Sequence, residues 1–584
     1  MQWIKKIYAS RYLWVIMLFL FLAICWGTSS LRFTLDLTAE KRFSLGEPTK
    51  NLLKNIDSPI YIQVFLAGDL PADYKKLAMS TQDLLNEFRD ISHNEVIVNF
   101  EIPGKDLPDS SKAILYDSLQ RMGVVFETNE DFSDNTGKAT RQLIIPSAIV
   151  TYKNLRPYVI DLRSSKTIFK NYNVINDLPQ EDKEATLNAA EALLEFKFSN
   201  AIEKLTRKYI PTIGYAIGNG EPVDLRINDL GESLRNDYRL GVFDLSHFYP
   251  RADQIDALLI VKPTKPFSDE DKLKIDQYIM HGGKVIWCID KLYAELDSLM
   301  RSQADFVAYD RNLNIDDILF KYGVRINGNL LQDLNCSKIP IVVGQNPDGS
   351  PRFQRIPWPY YPFVSSTNDN LISKNLDRVL TIFPSSMDTI KAPGIQKTIL
   401  LTSDTNSRVL SSPAMVSLNS VKDDEDFLTF NQSHIPIAVL LEGKFSSLFA
   451  NRLSIAQEDS VQIHLGKPFA NISPHTKQVV ISDADLVTNA VSNTSGPLPM
   501  GMLPFENYRF ANREFLLNCV DYLVSNNEIF ASRNKDFTLR LLDKKKVASQ
   551  KLTWQLLNIM MPISLVIIFG FIYQETKRRK FSKS

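Results

Sequence analysis

The sequence predicts a multidomain α/β body held between two transmembrane helices. Three observations carry that expectation. Strand-like and helical segments alternate along much of the chain. Uncharged apolar runs stand near both ends. At 584 residues the chain is too long for one ordinary domain. Composition fits a folded body, with 44% hydrophobic and 23% charged residues. The 67 basic residues balance the 67 acidic ones, which speaks against a nucleic-acid binder with its basic excess and against a disordered charged tail. Four cysteines in so long a chain exclude a disulfide-scaffolded fold. A mean hydropathy of −0.14 excludes a polytopic membrane protein, but leaves room for a few spans hidden by averaging.

Near the N-terminus, residues 12–27 read YLWVIMLFLFLAICWG without a charge, after Lys5, Lys6 and Arg11. The flanks lengthen this run toward the ~20 residues of a spanning helix. A cleaved signal peptide is a weaker reading, because no A-x-A-like site follows. A lipoprotein site ending at Cys25 has Ile24 where a small residue is expected. At the other end, residues 552–573 are also uncharged, contain Pro562 and precede Lys577, Arg578, Arg579, Lys580 and Lys583. Two spans put both tails on one side, and the basic N-terminal tail favours the cytoplasm. Lys544, Lys545, Lys546 and Lys551 weaken the same signal at the C-terminal span. The expected organisation is a tail and helix over 1–30, an α/β domain over 31–180, a connecting helix over 181–209, a parallel α/β domain over 210–350, a mixed β-rich region over 351–550, and a helix with a basic tail over 551–584.

Within the body, 60–66 is strand-like, and 74–91 has apolar residues at helical spacing (Leu77, Leu84, Leu85, Phe88, Ile91). Residues 95–102 alternate as a half-buried strand, and 143–152 with 158–162 read as a strand pair. This β-α-β-α-β-β order resembles a thioredoxin-like domain. No cysteine lies between Trp26 and Trp287, so dithiol exchange is excluded there. Residues 181–208 form a long helix rich in Ala, Leu, Glu and Lys.

The next unit opens with a strand at 212–217, then a helix at 230–238 and a short strand at 241–245. A continuous apolar strand occupies 257–261. Ser268 stands three residues before Asp271 as a capping box for a helix ending at Gly282-Gly283, and a buried strand follows at 284–289. This is a parallel βαβ pattern. A further helix over 314–322 ends at Gly323. The Pro-rich run 356–362 predicts an ordered loop or linker. Strand-like segments follow at 379–383, 398–401, 435–441 and 478–481. Residues 487–505 read as a surface loop, and 512–523 as a helix.

Candidate chemistry is sparse. No G-x-x-x-x-G-K-[ST] loop is present, so any ATP hydrolysis must reside in another subunit. The turn Gly218, Asn219, Gly220 and Glu221 follows a strand, where ligand or partner sites form. A tight turn needing glycine at positive φ is the stronger reading. Asp290, Asp483 and Asp485 follow two other strands. Such carboxylates bind metals or act as acid/base pairs, and they also cap helices and close turns. Cys288 follows a buried strand but is flanked by Trp287 and Ile289, not by the glycines of a nucleophile elbow. The six histidines are scattered, with none at i, i+3 or i+4. No catalytic residue, cofactor or metal is expected.

Thr38-Ala39-Glu40-Lys41-Arg42-Phe43-Ser44-Leu45, just after the N-terminal run, resembles the opening of the GldG family of gliding-motility-associated ABC transporter auxiliaries in Bacteroidota. The resemblance continues through Ile213-Gly214-Tyr215 and the turn at 218–221, where the family often has Gly-His-Gly-Glu. It includes 278–290, Lys321-Tyr322-Gly323-Val324-Arg325-Ile326, Asp483-Ala484-Asp485 and Asn512-Arg513-Glu514-Phe515, so it covers essentially the whole chain. It implies an inner-membrane protein with a periplasmic body, a GIFT-type second domain related to class I amidotransferase folds without their catalysis, and a separate permease and ATPase as partners, with other gliding or envelope proteins. Asn219 departs from the family histidine. The expected function is therefore a non-enzymatic auxiliary of an ABC-type complex. The alternatives are an envelope hydrolase of amidotransferase-like fold, or a solute-binding subunit.

Overall fold

The computed structural model describes residues 44–132, 139–168, 182–295, 305–347, 349–418, 424–492, 494, 496–506, 508–525 and 544–581, with Phe19 and Ile529 as single positions. The N-terminal apolar run and most of the 38–45 motif lie outside the described residues. The chain divides into two compact units, residues 1–535 and 536–584. It is a mixed α/β protein with several sheets.

The first region of the large unit is a four-stranded sheet in the order Val96–Phe100, Ile60–Val64, Ser147–Tyr152, Tyr158–Asp161. Its first pair is parallel and the others antiparallel. The strand expected over 143–152 is broken. Residues Ala139–Ile144 pair instead with Glu127–Phe132, and the sheet strand begins only at Ser147. Pro146 stands at the break, where its missing N–H interrupts a ladder. Helix Ala72–Ile91 covers one sheet face with Leu77, Leu85 and Phe88. The helix expected to connect two domains, Lys183–Thr206, packs Ala190, Leu194, Phe198, Ala201 and Ile202 into that same core. Asp182 caps it by accepting from the Ala185 N–H at 3.1 Å.

The centre of the molecule is a seven-stranded sheet. Its order is Arg239–Asp244, Thr212–Ile217, Ala257–Val261, Val285–Cys288, Ile472–Ile481, Pro436–Ser446, Ile395–Thr402. The first five strands are parallel; the last two pairings are antiparallel, so Pro436–Ser446 runs against the other six. Three of the seven strands come from beyond residue 350, so the parallel unit expected over 210–350 is completed by the region expected to follow it. Alternate residues serve opposite faces. Tyr215, Leu259, Ile286 and Val479 meet helices Asn228–Asp237 and Asn512–Val524. Leu258, Ile260, Val285 and Trp287 meet helices Asp269–Met280 and Asp316–Tyr322. Burial on both faces explains why these strands read as continuous apolar runs. The expected capping box forms: Ser268 accepts from the Asp271 N–H, and the Asp271 carboxylate accepts from the Ser268 N–H, both at 3.1 Å.

The Pro-rich run is not a linker. It lies inside the long strand Pro351–Val364, which pairs antiparallel with Cys336–Gln345. Along Pro357 and Pro359 the strand has a ladder neighbour on one side only, since Val379–Leu380 joins no earlier than Phe363. A missing N–H is tolerated at such an edge. Trp358, Tyr360 and Tyr361 anchor the strand in an aromatic core with Phe383 and Phe510. The segment expected as a surface loop also turns inward. Val487 and Met500 are fully buried, and the Met500 N–H donates to Asp229 at 2.8 Å.

The described residues of the second unit form one helix, Lys544–Phe581. Within it, Thr553–Glu575 is long and apolar enough to cross a membrane, and its side chains are exposed. Pro562 lies inside without ending the helix.

Candidate functional site

In an open α/β sheet, groups at the carboxyl ends of the parallel strands gather on one edge. The strand order reverses beside the first strand, which opens a crevice there. Here the chain runs from Thr212–Ile217 outward to Arg239–Asp244, then back to the other side at Ala257–Val261. The turn at 218–221 follows the first of these strands and Lys262 the third. Asp290 follows Val285–Cys288, and Asp483 and Asp485 follow Ile472–Ile481. Every candidate site residue therefore stands on the same edge of the sheet.

The three aspartates meet. One oxygen from each of Asp290, Asp483 and Asp485 lies within 4.8 Å of the others. That donor set alone suits a hard cation. The lysine beside it changes the reading. Lys262 Nζ is 2.5 Å from Asp485 Oδ1 and 3.3 Å from Asp290 Oδ2. Backbone and hydroxyl donors engage the cluster as well. Asp290 accepts from the Ala484 N–H at 2.6 Å, and Asp483 accepts from the Ile382 and Asp485 N–H groups at 2.7 and 2.8 Å. Asp485 accepts from the Thr488 hydroxyl at 2.9 Å. The cluster already holds its cation, and it ties three strand ends to the loop after residue 481.

Burial sets the electrostatics. It raises Asp290 above the ordinary carboxyl range against the pull of Lys262. It raises Asp483 well above that range, with Asp290 and Asp485 adding to the effect. Burial opposes the Lys262 charge, but Asp485 and Asp290 outweigh it and push the ammonium up. Lys262 also adopts φ +48°, a left-handed conformation that costs a non-glycine residue about 1–3 kcal/mol and persists where surroundings over-determine it. Sequence reasoning missed Lys262. Its signal was a lysine directly after a wholly apolar strand, at the end of the strand paired with the one that precedes Asp290.

The turn at 218–221 is packed against the loop at 264–265. Asn219 O accepts from the Thr264 and Lys265 N–H groups at 2.9 and 2.8 Å, and the Thr264 hydroxyl donates to Gly220 O at 3.0 Å. Gly220 has φ +82°, and a Cβ there would lie 2.2 Å from Thr264 Oγ1. Glycine is required at that position on both counts. The Glu221 carboxylate accepts from the Asn219 N–H at 2.8 Å, and burial pushes it up to about 6. Asn219 Oδ1 and Glu221 Oε1 are buried without a hydrogen-bond partner among the described residues. The turn lies apart from the lysine–aspartate cluster in the hydrogen-bond network of the described residues.

Cys288 is fully buried in the core beneath this edge, and burial raises its thiol well above the ordinary range. A thiol held protonated is a poor nucleophile.

Comparison with known proteins gives this edge its setting. A family model described as an ABC-type uncharacterized transport system matches residues 210–519, more than half of the chain and the whole seven-stranded sheet. The chain belongs to that family. Membership in this ABC transporter auxiliary family gives it an accessory role in ABC-type transport, in association with ABC transporter components. A second model, for a domain of unknown function, matches residues 39–151. The auxiliary protein is 19% identical over 579 residues to an uncharacterized protein of Borreliella burgdorferi, covering 96% of each chain. Among solved structures it is similar to the mmIFT52 N-terminal domain, at 10% identity and a TM-score of 0.30, over 54% of this chain and 98% of that one. It is also similar to an exo-β-1,4-mannosidase of Opitutaceae bacterium strain TAV5, at 9% identity and a TM-score of 0.21, over 51% of this chain and 35% of that one.

Proposed function

We propose that this protein is a non-enzymatic auxiliary subunit of an ABC-type complex, anchored by helices at both ends with its body in the periplasm. The body works through surfaces that contact a separate permease and ATPase, in support of gliding motility or envelope export. The observation that carries the reading is the family match across the whole seven-stranded sheet. The carboxyl edge of that sheet supports it, because the charges of its lysine–aspartate cluster are spent on one another. Under this reading the first region is a thioredoxin-like domain that has kept the shape without the dithiol, and the parallel unit is of the GIFT type.

The test is co-purification of the full chain from native membranes in mild detergent. An ABC permease and an ATPase are expected to accompany it. Their absence across detergents and crosslinkers would overturn the proposal. Thiol-labelling of single cysteines placed in each tail gives the topology, with both tails expected on the cytoplasmic face.

A further inference from the structure

A second concave site lies away from the strand-end cluster, where the first sheet meets the seven-stranded unit. It has a volume of about 460 Å³, within the range of small-molecule pockets. Its walls come from residues 122–123 and 155–159, the end of helix Lys183–Thr206 with the residues just after it, residues 233–239 and helix Asn512–Val524. Arg156, Arg207, Arg235, Arg239 and Arg513 all line it.

The pairing of these arginines is unusual. Arg513 is spent on Asp229, to which Nε donates at 3.1 Å. No carboxylate lies within 4 Å of Arg156, Arg207, Arg235 or Arg239 among the described residues. The acid that lines the cleft, Asp237, is taken by Lys204 at 2.6 Å, and Lys204 also reaches Asp521 at 3.1 Å. Two arginines are held in place by uncharged neighbours. The Arg207 guanidinium stacks 5.2 Å from the Tyr238 ring centre, and Arg156 donates to Asn236 at 2.9 Å. Arg207 Nε is buried without an acceptor among the described residues. Like charges crowded into a concavity repel one another, and a low-dielectric wall strengthens the effect. The same cleft carries Met122, Leu155 and Ile210, three of the large apolar side chains left exposed.

We propose that this cleft binds an organic anion bearing phosphate, with its charge on the unpaired arginines and an apolar part against Met122, Leu155 and Ile210. Planar guanidinium groups suit phosphate oxygens through paired N–H donors. A free phosphorylated metabolite and the headgroup of an anionic lipid share this chemistry. A ligand here touches both the first region and the parallel unit, and so bridges the junction between them.

The experiment uses the full chain in a neutral detergent. Its melting temperature and calorimetric binding are followed with two probes, inorganic pyrophosphate and a water-soluble short-chain phosphatidylglycerol. At least one is expected to raise the melting temperature, with an affinity that weakens as salt is added. A response to pyrophosphate assigns the site to free phosphates, and a response to the short-chain lipid alone assigns it to a headgroup. The double variant Arg235→Ser/Arg239→Ser and the single variant Arg207→Gln are expected to bind about tenfold more weakly or worse, while their ligand-free melting stays near that of the parent. Arg352→Ser, an exposed arginine outside the cleft, keeps full binding. No response to either probe at millimolar concentration overturns the proposal, as does equal weakening by Arg352→Ser.

Discussion

The strand-end cluster and the arginine cleft are both charged concentrations at element ends, and they are built in opposite ways. At the strand ends three aspartates gather around one buried lysine, and five of their six carboxylate oxygens have a named donor. In the cleft four arginines face a cavity with no carboxylate within 4 Å of them among the described residues, its one lining acid, Asp237, being held by Lys204. The difference teaches where a ligand belongs. Charges that satisfy one another are part of the fold, because breaking such a buried pair is costly. Charges placed together without partners are stable only when water or a binding partner supplies the missing half. The carboxyl edge of the parallel sheet is thus the closed region, and the junction beside the sheet is the open one.

The sharpest way to break the comparison is to remove Lys262. Lys262→Met leaves buried carboxylates without their cation and is expected to cost about 3–5 kcal/mol. The measurement is the denaturation midpoint of the full chain in detergent. A Lys262→Met protein as stable as its parent would mean that the cluster does not depend on that cation, and the contrast with the cleft would fail. Lys204→Met tests the same rule inside the cleft. Its side chain is 5% exposed between Asp237 and Asp521, so it belongs with the paired charges despite its location. A loss of about 3 kcal/mol is expected.

Glu221 gives a smaller effect with a definite sign. Burial raises it from 4.5 to about 6, so the folded protein keeps this proton to higher pH than the unfolded chain does. Its favourable contribution is complete below pH 4.5 and disappears as pH rises through 6. The displacement corresponds to roughly 2 kcal/mol. Glu221→Gln should therefore gain on the parent by about that amount between about pH 4 and about pH 7. Unfolding curves at both pH values check it. An unchanged difference would place the carboxylate in a more solvated setting than the turn provides.

Much of this architecture was legible from local pattern. The apolar strands at 257–261 and 284–289, the Ser268 capping box and the helix at 512–523 each announce themselves through period or cap chemistry. The failures have physical causes. Pro146 splits a run that looks continuous, because hydropathy does not register a missing N–H. Four prolines disguise the strand Pro351–Val364, which is permitted by an edge position that only tertiary pairing creates. Helix Lys183–Thr206 looks like a connector because it is long and rich in Ala, Leu, Glu and Lys. Yet Glu195 is buried and accepts from Thr49 Oγ1 at 2.9 Å and the Gly46 N–H at 2.7 Å. At the site, Asp290, Asp483 and Asp485 were visible as strand-end acids, but neither their meeting nor Lys262 could be read without the strand order. The arginine cleft was invisible for the same reason. Its residues come from five separated stretches of chain.

The smallest expected effect separates the two regions most cleanly. If the cleft arginines are unpaired, removing two of them takes away repulsion and breaks no bond on which the fold depends. Arg235→Ser/Arg239→Ser should leave the ligand-free stability within about 0.5 kcal/mol of the parent. Any change at low ionic strength should be a gain, because mutual repulsion is then least screened. That gain should shrink as salt approaches physiological strength, where the screening length is about 8 Å. Denaturation of parent and variant across a salt series measures it. A loss of stability at every salt concentration would show that these arginines hold the junction together in the free protein, and the cleft would then resemble the cluster it is contrasted with. A gain that fades with salt is the behaviour of charges awaiting an anion.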